Sequence, residues 1–107
     1  MFVILSVLSC NRQKAYTPEV LLSESQMIDI MTDVQIIEAD INSQKTKGLI
    51  IGDEPSMYYN QLFKHYGITD NIFSQNLKYY TLDPTTLEKI MDSVTNRLLK
   101  AQENSNQ

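Results

Sequence analysis

The sequence predicts an all-α domain: a compact bundle of about four helices after an apolar leader and a short polar segment. Three observations carry this. The 107 residues suffice for one domain and not for two. Three Gly, three Pro and no Trp, against many Leu, Ile, Met, Glu and Lys, favour helices. Apolar residues also recur at three- and four-residue spacing between recognisable helix-end signals. With 42% hydrophobic and 21% charged residues, disorder throughout is excluded.

The opening MFVILSVLSC is apolar through residue 10 and gives way at once to NRQKAY. Its apolar run has the length of a signal-peptide h-region, roughly seven to fifteen residues, and falls short of the about twenty that cross a bilayer. VLSC, residues 7–10, resembles a bacterial lipobox, with an apolar residue at −3 and small Ser9 immediately before Cys10. The resemblance implies that the Cys10 thiol receives a diacylglyceryl group and that the chain is cut before it. Residues 1–9 are then a lipoprotein signal peptide, expected to be truncated at its start because no Lys or Arg precedes the apolar run. Residues 10–22 are the lipidated Cys and a tether, 23–102 the helical domain and 103–107 a frayed tail. A buried core segment with an inert thiol is the alternative. Lipid on Cys10 would hold the protein to a membrane without a spanning helix, durably if two or three acyl chains are attached. Arg12 and Lys14 would rest on anionic headgroups. With no acidic run after Cys10, the expected place is the outer membrane of the cell envelope, facing the periplasm.

The first helix opens on a capping box, Ser23 at the N-cap and Gln26 at N3, with Leu22 and Met27 as a hydrophobic staple. Met27, Ile30, Val34, Ile37 and Ile41 form its apolar stripe, which fades before Gly48. The second begins at Asp53 or Glu54 with Pro55 in its first turn. Tyr59, Leu62, Phe63 and Tyr66 share its face. Gly67 is placed to end it in the left-handed conformation, with Ile68 folding back on Phe63. Thr69 then caps the third helix, and Ile68 staples onto Phe73. Asp83 and Pro84 start the fourth, with Leu82 stapled to Leu87 and a stripe of Leu87, Ile90, Met91, Val94, Leu98 and Ala101.

The order of these features resembles a family: a lipobox, SESQMIDIMTDVQIIEAD, YYNQLFKHYGITDNIFSQNLKYYT and LDPTTLEKIMDSVTNRL. It is similar to the small lipoproteins of Bacteroidota grouped as domain-of-unknown-function family 4296. The resemblance spans nearly all of the mature chain, implies location and fold, and transfers no catalytic residue.

Little chemistry is visible. The nine Lys and Arg are scattered and the net charge is −4, so nucleic acid is not an expected partner. His65 is the only His, and with the one Cys taken by lipid no Cys–His or zinc site can form. No G-x-S-x-G, H-E-x-x-H, phosphate loop or EF-hand loop occurs, so no enzyme activity, cofactor or metal is expected. Asp29, Asp33 and Asp40 line one side of the first helix as a solvated acidic ridge. Glu38 projects inside the apolar stripe, near Met31, Val34 and Ile41. A buried carboxylate needs a partner. Arg97 is the first choice, making a polar clamp between first and last helices; the hydroxyl of Tyr59 or Tyr80 is the second.

The third helix has two apolar sides. Either it sits centrally and buries both, or Ile72 and Tyr79, with Tyr58, form an exposed interaction surface. Leu49, Ile50 and Ile51 pose the same choice, plugging one end of the bundle or contacting a partner. Together these features describe a membrane-tethered, non-catalytic module that binds an envelope protein. A chaperone-like or peptide-binding domain of the periplasm, or a carrier of a small apolar ligand, is the alternative.

Overall fold

The structure, a computed structural model, describes residues 16–49, 52 and 54–105. Cys10, the leader, Asp53, Ile50 and Ile51 lie outside the described residues. Among the described residues four helices follow one another: α1 (Glu24–Thr46), α2 (Glu54–His65), α3 (Asp70–Thr81) and α4 (Pro84–Ser105). The chain is thus an all-α bundle of the expected helix count.

Helix ends follow the local chemistry. Gln26 N–H donates to Ser23 Oγ at 3.1 Å, and Ser23 N–H donates to Gln26 Oε1 at 2.8 Å, closing the capping box. Leu22 and Met27, the staple pair, are both buried. At the end of α2, Gly67 has φ +73°, its N–H donates to Lys64 O, and Ile68 N–H donates to Phe63 O at 2.9 Å. This is the Schellman arrangement, in which the left-handed residue turns two orphan carbonyls back onto the chain. Gly48 closes α1 in the same way, with Leu49 N–H on Gln44 O. Thr69 Oγ1 accepts from Ile72 N–H, and Asp83 caps α4 through Thr86.

The contacts between helices fix their directions. Glu24 pairs with Lys89 and Asp29 with Arg97, so residue numbers climb together and α1 and α4 run parallel. Tyr59 reaches Glu38 while Tyr66 reaches Asp33, so α2 runs antiparallel to α1. α1 packs on α2 and α4, and α3 packs on α2 and α4. The core gathers Leu22, Met27, Ile30, Leu62, Phe63, Tyr80, Ile90 and Val94, and the Phe63 and Phe73 rings stack 5.2 Å apart. Each large apolar side chain fully buried there stabilises the fold by about 1.5–3 kcal/mol.

Three expectations are revised. Leu82, expected to be covered as the staple partner of Leu87, is 55% exposed, while Leu87 is half-buried against the core. That helix runs on through Ser105, into the stretch expected to fray. Ala101, assigned to the buried stripe, is exposed, because α2 packs on α1 and α3 but not on α4 and so leaves that side of the last turns of α4 uncovered.

Candidate functional site

Two polar constellations and one apolar groove stand out. In the first, α1 presents Asp29, Asp33 and Glu38 along about two and a half turns. Tyr66, in the turn that ends α2, donates its hydroxyl to the Asp33 carboxylate, and a second contact reaches Asp29 O at 3.3 Å. Arg97 of α4 pairs with Asp29. Burial pushes the Tyr66 phenol up to about 12, reinforced by the hydrogen bond and charge of Asp33 and by Asp29, while Arg97 acts in the opposite direction. Asp29 and Asp33 are therefore half-buried partners of neighbouring helices rather than members of a solvated ridge; Asp40 alone stays exposed, accepting from Gln44.

Glu38 and Arg97 are not partners. Glu38 is exposed, and its carboxylate takes the Tyr59 hydroxyl. Arg97 sits opposite Asp29, nine residues earlier on α1, a separation of about 13 Å along the helix axis. The parallel course of α1 and α4 sets that register. The second-choice partner, Tyr59, is the one Glu38 meets, at the edge of α2 instead of in the core.

The second constellation was not anticipated. Asn76, in the middle of α3, is completely buried. Its Oδ1 accepts the Leu22 N–H at 2.7 Å, and its Nδ2 donates to Val20 O at 2.8 Å and to Ile72 O at 2.9 Å. Tyr80 donates its hydroxyl to Leu22 O at 2.6 Å, and burial raises its pKa. Pro18 is buried, and the Lys78 ammonium stands 4.5 Å from the Tyr16 ring centroid. Residues 16–22, assigned to the tether, are therefore docked on the domain. The signal was present in the sequence: Asn76 occupies the centre of a stripe running Phe73, Asn76, Leu77 and Tyr80, where an amide needs buried partners.

The exposed apolar surface is distributed differently from the expectation. Ile72 and Tyr79 are half-buried against the core, so α3 spends both apolar sides on packing. Tyr58 is exposed beside Met57 on α2, and the three side chains do not form one open patch. Leu49 is 64% exposed. The larger apolar feature is a groove of about 520 Å³ between the distal halves of α1 and α4, lined by Ile36, Ala39, Leu98, Leu99 and Gln102 among others. Ile36 and Leu99 on its walls are 48% and 52% exposed. His65 is exposed and packs edge-on against the Tyr66 ring.

Among the described residues no group of three His, Cys, Asp or Glu is placed to hold a metal ion. No helix among them is long and apolar enough to cross a membrane. Compared with known proteins, residues 18–104 match the model of the family described as Domain of unknown function (DUF4296). No curated protein and no solved structure matches the chain. The matched span begins inside the docked segment, at Pro18.

Proposed function

This chain belongs to the DUF4296 family, and from that premise we propose that it is a small lipoprotein of the Bacteroidota envelope. Cys10 anchors it by lipid to the outer membrane, facing the periplasm, and its helical head works without catalysis by binding an envelope protein. The observation that carries the reading is the lipobox-like VLSC at residues 7–10, set at the abrupt change from apolar leader to polar chain. A tethered module gains effective concentration toward other membrane proteins, so a modest intrinsic affinity suffices. The groove between α1 and α4 and the Met57–Tyr58 edge supply exposed apolar surface for such a contact.

Metabolic labelling with an acyl probe tests the anchor: the parent chain is expected to take up label and Cys10→Ala to lose it. Photo-crosslinkers at Ile36, Leu99 and Tyr58 in the native envelope test the partner. One recurrent adduct supports the module; scattered, irreproducible adducts refute it.

A further inference from the structure

We infer that the inner face of α3 is a receptor for an extended polypeptide segment, and that its ligand is the chain's own lead-in, residues 16–22, latched by Asn76 and Tyr80. Recognition is aimed at the backbone. Asn76 reads the Leu22 N–H and the Val20 carbonyl with the two ends of one amide, and Tyr80 donates to the Leu22 carbonyl. Side chains then set the register: Leu22 and Pro18 are buried, and Tyr16 lies under the Lys78 ammonium. Paired main-chain hydrogen bonds with pockets for selected side chains are the general means by which proteins hold extended peptides.

The latch is discrete rather than graded. Asn76 has no exposure, so releasing the strap would leave its Oδ1 buried with no donor unless the site opened to water. Engaged and released forms are thus separated by a concerted loss of three hydrogen bonds and two apolar anchors.

The consequence for function rests on the lipid-anchor reading. With the strap docked from Tyr16 onward, six residue steps separate Cys10 from the domain, a reach of about 20 Å at full extension. Released to the N-cap at Ser23, the same leash would reach about 45 Å. The latch therefore keeps the head close to the bilayer, and the partner it serves is one presented at the membrane surface.

Hydrogen exchange on the full-length lipidated protein in phosphatidylethanolamine–phosphatidylglycerol vesicles tests this, together with energy transfer from a dye on the head to labelled lipid. The Leu22 amide is expected to exchange at least a hundredfold more slowly than in an unstructured peptide. Tyr80→Phe, which keeps the ring and removes one donor, is expected to lose about tenfold of that protection while the Ile30 and Ile90 amides keep theirs. Asn76→Ala is expected to release the strap and lower the energy transfer. A Leu22 amide that exchanges freely in the parent overturns the latch. A protected Leu22 in a chain that carries no acyl label leaves the latch standing and overturns the anchor and the reach built on it.

Discussion

The hydroxyl of Tyr66, at the end of α2, is bonded to the carboxylate of Asp33 in the middle of α1. The bond ties α1 to α2, and together with burial it makes one phenol harder to ionise. Its folded-state pKa of about 12 lies above the ordinary value of 10.0. The neutral phenol is the form the fold prefers, so this contribution is complete below pH 10 and is lost as pH rises toward 12. Urea unfolding from pH 7 to 12 should show stability falling in that window. Tyr80 is raised in the same direction, so the diagnostic is the difference from Tyr66→Phe, which should fall less steeply. At pH 7 that variant is expected to cost about 1 kcal/mol for the lost hydrogen bond.

Gly67→Ala is expected to destabilise by about 1–2 kcal/mol, from backbone strain alone. No heavy atom would meet the new methyl, and the φ of +73° is the whole obstacle. Gly67→Asn should cost less, since Asn tolerates the left-handed region. Thermal or urea denaturation of the pair measures the difference, and an unchanged Ala variant would contradict the Schellman turn.

Glu38→Gln and Arg97→Ala should each change stability by less than about 1 kcal/mol. Both side chains meet their partners at the surface, where hydrogen-bonded and ionic pairs are screened and entropically costly to hold. Ile90→Ala, by contrast, empties a fully buried site of the core on α4 and is expected to cost about 2–5 kcal/mol. Denaturant midpoints of the three variants should therefore fall into two well-separated groups.

Ile36→Glu and Leu99→Glu should leave the unfolding midpoint nearly unchanged, because both positions are half-exposed. If the groove between α1 and α4 is where an envelope partner binds, a further crosslinker placed at Leu98, a lining position these changes leave intact, should lose its recurrent adduct in both variants. A recurrent adduct from Tyr58 that survives both changes would instead place the contact at the Met57–Tyr58 edge.

Sequence made the local structure legible because caps and turns are decided within a few residues. Ser23 with Gln26, Thr69, Asp83 with Pro84, and Gly67 with Ile68 each act through bonds to near neighbours, and each appears where its spacing places it. Registers between helices were not legible. Stripe position alone pairs Glu38 with Arg97, whereas the direction of α4 relative to α1 decides which carboxylate Arg97 meets. The docked lead-in was hidden for a related reason. Its partners, Asn76 and Tyr80, lie 54 to 58 residues away, and a segment with no periodicity of its own reads as a linker until those partners are seen.

The shared direction of α1 and α4 has an electrical consequence. Each long helix carries roughly half a positive charge at its start and half a negative charge at its finish. Aligned instead of opposed, the two point the same way, and whatever offsets them must come from the ends of α2 and α3. At the strap end the finish of α3 offsets the start of α4, with only two residues between them, so the polarity is felt at the other end, where the carbonyl-bearing last turn of α4 reaches the groove at Ser105 and favours a cation on a visitor.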